Sequence, residues 1–302
     1  MVAVVCLWGL GPPVTKLITA PALVSVSIRF WFSAPIVLAM AYASGRRLSF
    51  RVMRYTALPG ALFAFNLVLV FVALKHTSVA VTTVIQSLQP GIVLLVAGRW
   101  MGERATKWHV AWTAVGLAGV VVVITGGNAE VRGNTLGIVC AVASMLVFTT
   151  YYLINRRVRF THNMDPIEWI TGIMVFAALA ITPVALLASS PGDYGQVGGL
   201  DWLYLAFVGG VIGIVGHTLM SWAHKYIPAS RSSLYLLGMN VVAVSAAWPL
   251  HDEPVTLLQV IGGVIVLGAL AAVVSRPASI RVTEVPKPET PEFVVTPAAT
   301  PA

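Results

Sequence analysis

Charged residues are scarce in this sequence, at 10% of 302 positions, whereas hydrophobic residues make up 58%. A water-soluble domain of this length could not cover its core with so few charged side chains, so the composition excludes an ordinary soluble protein. The charges are also segregated, which leaves apolar stretches of about twenty residues, the length that crosses a hydrocarbon core. Because lipid offers the backbone no hydrogen-bond partners, these stretches must be helical. The composition therefore predicts an all-α membrane protein.

Cysteine is nearly absent, and neither Cys6 nor Cys140 belongs to a metal-binding spacing or to a disulfide framework. Both fall inside apolar stretches and are interpreted as small packing residues. The six histidines are scattered, no Ser/His/Asp set converges in the sequence, and no glycine-rich phosphate loop follows a strand. We therefore predict no enzyme activity, no metal site and no cofactor.

Ten apolar stretches separated by polar interruptions are typical of membrane-spanning helices. Their predicted bounds are 2–19, 22–43, 57–75, 78–98, 108–125, 134–155, 166–188, 201–222, 229–249 and 256–274. Pro12 and Pro13 are expected to break or kink the first span, since proline removes a backbone donor and clashes with the preceding turn. The segment 275–302 contains six prolines and little that could be buried, so we expect a disordered cytoplasmic tail.

The nineteen Lys and Arg residues predict the orientation of the spans, because cytoplasmic loops carry the excess of positive charge. With the N-terminus inside, fourteen of them fall in inner loops and two, Lys75 and Arg132, in outer loops. The other three are Lys16, Arg29 and Arg231, within or at the ends of spans. We therefore expect an inner-membrane protein with both termini cytoplasmic. Because the positive charges lie in short clusters between spans, nucleic acid is not an expected partner.

An internal repeat relates residues 73–125 to 223–275 at a constant shift of 150. The polar pairs that it superimposes are Lys75 with Lys225, Glu103 with Glu253 and Thr106 with Thr256. Since each half has an odd number of spans, the second half would enter the membrane from the opposite side, as in the inverted repeats of many secondary carriers. The predicted units are two five-helix repeats, 1–125 and 134–274, with a substrate site between them near the midplane.

Several short motifs recur in order along both halves. In the first half they are Trp8-Gly9 with Lys16, Arg29, Ala73-Leu74-Lys75, Gln86-Ser87-Leu88-Gln89-Pro90 and Gly102-Glu103-Arg104 with Thr106. In the second half they are Tyr226-Ile227-Pro228-Ala229, Asp252-Glu253 with Thr256, and Gln259 with Gly262-Gly263, while Asn240 replaces the proline that matches Pro90. Over residues 1–275 the chain thus resembles the EamA-type, ten-helix members of the drug/metabolite transporter superfamily. The resemblance implies two inverted five-helix units and export or exchange of amino acids, nucleobases, sugars or other metabolites.

Polar side chains inside the spans are the candidate substrate-binding residues, because polar groups at that depth face the bundle interior. Arg29 is the leading candidate, as an anchor for an anionic group. The alternative for Arg29 is a structural role, in which it holds backbone carbonyls of a broken first helix. The further candidates are Trp8, Asn66, Gln86, Gln89, His217, Tyr235 and Asn240. Gln86 and Gln89 are three residues apart and are expected to share a helix face, although any of these side chains could instead join helices.

Lys16, Glu103 and Glu253 are candidates for structural or gating roles at the ends of spans. Lys16 is expected to extend toward the interface. Each glutamate precedes a span that begins near Thr106 or Thr256, where an acid complements the helix dipole and threonine can cap the first turn. The inverted topology would place Glu103 inside and Glu253 outside, as a gate at each face.

The eleven acidic residues all fall in loops, at span ends or in the tail, which disfavours a carrier that couples to protons through a buried carboxylate. His217 is the deep group that titrates near neutral pH. The predicted mechanism is therefore facilitated diffusion or exchange, or coupling through His217.

The predicted function is a secondary transporter that moves small polar metabolites, amino acids or related compounds, by alternating access. Its expected partners are a small-molecule substrate and the lipid bilayer. The alternatives are a flippase for a lipid-linked or amphiphilic molecule and a polytopic membrane protein without transport. The sequence leaves open the substrate, the direction, the coupling ion and the choice between a monomer and a homodimer.

Overall fold

The computed structural model of the chain describes residues 1–77, 79–100, 106–125, 135–162, 164–228, 231–232, 235–251 and 256–275. In this part the chain forms helices and turns without a β-strand, which confirms the predicted all-helical class. The helices are α1 (Val2–Gly9), α2 (Gly11–Lys16), α3 (Ala22–Ala43), α4 (Phe50–His76), α5 (Val79–Ser87), α6 (Gln89–Trp100), α7 (Lys107–Thr125), α8 (Thr135–His162), α9 (Pro166–Ala188), α10 (Pro191–Gly195), α11 (Gly199–Ala206), a π-helical segment (Phe207–Val215), α12 (Gly216–Ala223), α13 (Gly238–His251) and α14 (Leu257–Ser275).

The helices are long and apolar enough for a membrane protein. Five stretches qualify as spans by length and composition: Ala22–Ala43, Phe50–His76, Thr135–Val158, Pro166–Ala188 and Gly199–Ala223. Four shorter apolar helices, Val2–Lys16, Lys107–Val122, Gly238–Leu250 and Val260–Ala269, fall on predicted spans one, five, nine and ten. Large apolar side chains face outward, such as Leu187 at 90% exposure and Leu257 at 76%, and lipid is the solvent that suits such a surface. The chain is a multi-pass membrane protein, and the total of ten crossings stays a prediction.

The central packing of the bundle places α4 along α8 and α9, and α3 along α9. Glycines allow the backbones to approach. A Cβ atom on Gly60 would lie 2.8 Å from the carbonyl oxygen of Ile173, and one on Gly172 would lie 2.8 Å from Cβ of Thr56. The hydrophobic effect does not hold helices together in lipid, so close van der Waals packing at small residues stabilises these helix contacts.

The bounds of α7 and α14 follow the internal repeat. α7 is Lys107–Thr125 and α14 is Leu257–Ser275, so the shift of 150 relates both ends. The Thr106 hydroxyl accepts a hydrogen bond of 3.4 Å from the backbone nitrogen of His109, in the capping position expected for it. The two helices pack against each other, with a Cβ on Gly119 3.0 Å from the carbonyl oxygen of Gly262. The inverted orientation of the two halves remains a prediction, and Glu103 and Glu253 lie outside the described residues.

Several helices are interrupted near their middle, and these interruptions position the candidate site. The first predicted span breaks at Leu10, shortly before Pro12. Leu88 separates α5 from α6, shortly before Pro90. A turn at 236–237 precedes α13 at the equivalent point of the second repeat, although Asn240 stands there in place of proline. The Leu237 carbonyl accepts from the backbone nitrogen of Asn240 at 3.3 Å and from its side-chain nitrogen at 3.2 Å, so the Asn240 amide adds a second bond at this turn.

Asp201 and Lys75 clamp the loop between α2 and α3. The Asp201 carboxylate accepts hydrogen bonds from the backbone nitrogens of Thr19 (2.9 Å), Ala20 (3.1 Å) and Gly198 (3.2 Å), and from the Thr19 hydroxyl (2.9 Å). Lys75 Nζ donates to the carbonyl oxygens of Thr19 at 3.2 Å and Ala20 at 2.6 Å. The clamp therefore joins the loop between α2 and α3 to the end of α4 and the start of α11, which the predicted topology places on one face of the membrane.

Asp201→Asn is expected to lower the free energy of unfolding by about 1–3 kcal/mol, because an amide nitrogen cannot accept from the backbone N–H groups that the carboxylate serves. Asp193→Asn is the matched control, since this carboxylate makes its 2.7 Å bond to the Ser190 backbone nitrogen at an exposed position. Thermal denaturation in detergent measures both variants. A loss at Asp201 no larger than that at Asp193 would contradict the clamp.

Candidate functional site

A cavity of about 190 Å³ lies where the interrupted helices meet. Its polar lining residues are Trp8, Thr15, Arg29, Asn66, Thr82, Thr83, Gln86, Ser87, Gln89, His217 and Asn240. The carboxylates of the described chain, Asp165, Glu168, Asp193 and Asp201, all lie elsewhere. Within the described ranges, Arg29 is thus the one permanently charged side chain in the wall.

Seven of the eight predicted substrate-binding residues line this cavity: Trp8, Arg29, Asn66, Gln86, Gln89, His217 and Asn240. Tyr235 does not line it, and Lys16 is exposed at the end of α2. The expectation that Gln86 and Gln89 share a helix face is wrong, because Leu88 interrupts the helix between them. The two side chains instead reach the cavity from α5 and α6. A binding role for all of these residues stays a prediction.

Arg29 is buried in the wall, at 6% exposure. It packs on the π-helical segment, where a Cβ on Gly213 would lie 3.5 Å from its Nη2 and a Cβ on Gly209 would lie 3.3 Å from its Cγ. The Ser33 hydroxyl lies 2.8 Å from the Arg29 carbonyl and 3.0 Å from the Gly209 carbonyl, and its one proton is shared between these two acceptors. No hydrogen bond or ion pair reaches the guanidinium from elsewhere in the described chain. The alternative prediction, that Arg29 holds carbonyls of a broken first helix, is therefore wrong.

His217 lies in an aromatic surround beside Arg29. The ring centroids of Trp8 and Phe63 lie 4.6 Å and 4.4 Å from that of the imidazole. The Tyr151 hydroxyl lies 3.2 Å from its Nδ1. Phe148 continues the wall, 6.0 Å from the Trp8 ring. Within these three ring pairs the planes are inclined to one another by 47–68°, and the rings form an apolar wall next to the positive charge, suited to the apolar part of a ligand.

Three amides in the wall are held through their nitrogen atoms. Asn66 Nδ2 donates to the backbone carbonyl of Ser144 at 2.8 Å, and Gln86 Nε2 donates to the Ser144 hydroxyl at 2.7 Å. Asn240 Nδ2 donates to the Ser87 hydroxyl at 3.0 Å. These bonds fix the amides in place, so the polar wall is ordered without a ligand.

A buried apolar cluster adjoins the cavity. Its members include Val4, Val93, Tyr152, Met220 and Leu236, each at most 6% exposed, and Leu236 also lines the cavity. The other four lie about one helical turn along the chain from the lining residues Trp8, Gln89, Phe148 and His217. In the predicted topology this cluster lies on the cytoplasmic side of the cavity.

Several residues of the site carry no distinctive sequence signal. Phe63 and Phe148 are ordinary members of apolar runs, and their place in the wall follows from tertiary packing. Ser144 is one of many small helix residues, and its two amide contacts come from α4 and α5. Gly216 could have been noticed as part of a glycine-rich stretch, but the sequence does not indicate that Trp8 packs on it.

The chain is similar to known proteins in sequence and in fold. The EamA-like transporter family matches residues 1–125 and 135–275. The uncharacterized transporter YyaM of Bacillus subtilis (strain 168) is 30% identical over 218 residues, 70% of this chain and 69% of that protein. The aromatic amino acid exporter YddG of Ancylobacter novellus is 28% identical over 207 residues, 68% of this chain and 65% of that protein. A crystal structure of a protein superimposes with a TM-score of 0.72 over 90% of this chain and 94% of its own, at 20% identity, which shows a shared fold.

Gly216→Ala is expected to lower the free energy of unfolding by about 1–3 kcal/mol through overpacking. The new Cβ atom would lie 2.8 Å from Cδ1 of Trp8 and would force the indole ring to move. Gly210→Ala, in the adjoining π-helical segment, is the control, because nothing lies within 4 Å of a Cβ atom there. Thermal denaturation in detergent compares the two variants, and equal melting temperatures would contradict the packing described for Trp8.

Proposed function

The chain belongs to the EamA-like transporter family, and on that premise we propose that it carries small zwitterionic metabolites, amino acids or close relatives, by alternating access. The observation that carries this proposal is the guanidinium of Arg29, buried in the cavity wall without a partner in the described chain. A charge in that position is unfavourable in a membrane protein unless something pairs with it. The substrate is the partner that we propose.

A carboxylate matches Arg29 better than other ligand groups. The planar guanidinium offers parallel N–H donors that a carboxylate can accept in pairs. The carboxylate of such a ligand would pair directly with the guanidinium, the one permanent charge of the described wall. A neutral sugar or nucleobase would displace water and leave the guanidinium unpaired, which costs binding free energy. The cavity chemistry therefore favours a carboxylate ligand over the other metabolite classes expected of the family.

The amide oxygens and aromatic rings of the wall suit the amine and the side chain of an amino acid. The carbonyl oxygens of Asn66, Gln86 and Asn240 accept no hydrogen bond from the described chain and can accept from a protonated amine. The rings of Trp8 and Phe63 can pack on an apolar side chain. One relative is named an aromatic amino acid exporter, and the aromatic wall supports a ligand of the same class here.

In alternating access, the cavity would open to one face of the membrane at a time. The buried apolar cluster around Tyr152 and Met220 adjoins the cavity, and we propose that it closes the cavity on that side. Under the predicted shift of 150, the break at Leu88 and the turn at 236–237 lie within two residues of each other. Short interrupted helices can tilt without disturbing the long helices behind them. We propose that the parts on either side of these breaks move in turn, in export or exchange of the substrate.

Transport is proposed to follow the substrate gradient without proton coupling. The described wall contains no carboxylate that could neutralise a protonated His217 beside Arg29. His217 is also packed between aromatic rings, which supports a role in shaping the wall. Exchange or facilitated diffusion requires neither group to change its charge.

Arg29→Gln is expected to abolish stabilisation by the substrate while the ligand-free protein keeps or gains stability, because a buried charge without a partner is removed. A thermal-shift screen of amino acids, nucleobases and sugars measures both effects in detergent. A ligand at a hundred times its dissociation constant stabilises the parent protein by about 2.7 kcal/mol. Arg54→Gln, at an exposed position on α4, is the control and should keep the ligand response. A carboxylate ligand that stabilises Arg29→Gln as well as the parent would remove Arg29 as the anchor.

We expect that an imposed pH gradient drives net substrate uptake neither in the parent protein nor in His217→Gln, because the proposed transport is not coupled to protons. The measurement is uptake into proteoliposomes at equal substrate concentrations, with and without the gradient. Uptake that the gradient drives in the parent and not in His217→Gln would establish coupling through this histidine instead.

A further inference from the structure

Two serines determine which atoms of three cavity amides, Asn66, Gln86 and Asn240, face a ligand. An amide side chain can present either its carbonyl oxygen or its nitrogen, and its partners decide between the two. The partners here are the Ser144 hydroxyl for Gln86, the Ser144 backbone carbonyl for Asn66, and the Ser87 hydroxyl for Asn240. Ser144 is fully buried and Ser87 is 4% exposed, so water does not compete for these bonds.

The hydroxyl of Ser144 has its single proton committed elsewhere. It donates to the Ala141 carbonyl of its own helix at 2.8 Å. A serine hydroxyl has one proton and two acceptor positions. Towards Gln86 it can therefore act as an acceptor alone, and the Gln86 nitrogen must face it. The backbone carbonyl of Ser144 imposes the same orientation on Asn66, because a carbonyl cannot donate.

Ser87 repeats this arrangement for Asn240. Its hydroxyl donates to the Thr83 carbonyl at 2.7 Å and accepts from Asn240 at 3.0 Å. The second bond of the Asn240 nitrogen goes to the Leu237 carbonyl at 3.2 Å, which again can accept and not donate. All three amides are thus turned with their nitrogens into the protein, which leaves three carbonyl oxygens for the cavity.

We infer that Ser144 is a positioning residue for substrate selection. Through Gln86 it makes this part of the wall a hydrogen-bond acceptor. The cavity therefore binds a carboxylate ligand that has a protonated amine more tightly than the same ligand without the amine. The inference rests on the proposed function, since it concerns the end of the substrate opposite its carboxylate. Without the serine hydroxyl, the Gln86 amide can rotate and present its N–H donors, which suit a ligand that lacks the amine.

The test compares matched ligands that differ in the amine alone, such as phenylalanine with 3-phenylpropanoate and leucine with 4-methylpentanoate. Dissociation constants are measured for the parent and for Ser144→Ala. The preference of the parent for the amine-bearing ligand should fall about tenfold in Ser144→Ala, the usual effect of one misplaced buried hydrogen-bonding group. The control is Thr149→Val on the same helix, whose 2.7 Å hydroxyl bond goes to the Met145 carbonyl and orients no cavity amide. It should leave the preference unchanged.

A double-mutant cycle shows whether Ser144 acts through Gln86. In a Gln86→Leu background, Ser144→Ala should no longer change the preference, because the side chain that it orients is gone. If Ser144→Ala weakens both members of each ligand pair by the same factor, or still changes the preference in that background, the inference is overturned and the proposed function stands. If no amino acid stabilises or binds to the parent protein, the proposed function falls and the inference falls with it.

Discussion

One uncompensated positive charge in a lipid-embedded bundle is the constraint on which the site depends. Arg29 is buried, and no acidic or carbonyl partner reaches its guanidinium from the described chain. Folding alone would favour a neutral residue at this point of α3, since charge in a membrane interior is penalised. The surrounding chain accommodates it with a glycine-bearing π-helical segment and with a cavity formed by interrupted helices. Sites that contradict folding preferences in this way are typically functional.

The helix interruptions that line the cavity require hydrogen-bond partners for the backbone groups that they expose. A broken helix in lipid leaves carbonyl groups without partners, and these must be satisfied by nearby protein. At the break before α13 the Asn240 nitrogen bonds to the Leu237 carbonyl and also to Ser87, next to the break between α5 and α6. The same amide therefore adds a bond at this turn, links the two predicted repeats and accepts no hydrogen bond through its oxygen from the described chain. Under the proposed function, structural and binding roles coincide in one side chain, where the sequence suggested them as alternatives.

The sequence was sufficient for the parts that depend on the bilayer. Apolar length predicted the helical class, and the cost of polar groups in lipid singled out seven residues that line one cavity. The resemblance to EamA-type transporters, carried by short motifs around Trp8, Arg29 and Pro90, is confirmed. Local geometry could not be predicted in the same way. The break at Leu88 puts Gln86 and Gln89 on different helices, Tyr235 lies off the cavity, and Ser144 acts through contacts distant in sequence. Each of these depends on how helices meet, which periodicity and composition do not encode.

Direct calorimetric titration with an amino acid and its methyl ester tests the central claim about Arg29 most directly. The ester keeps the amine and the side chain but has no negative charge for the guanidinium. The account predicts that the parent protein binds the amino acid and binds the ester at least about a hundred-fold more weakly, as expected when a buried charge is left unpaired. Equal affinity for the two ligands would contradict the claim that Arg29 binds the carboxylate of the substrate.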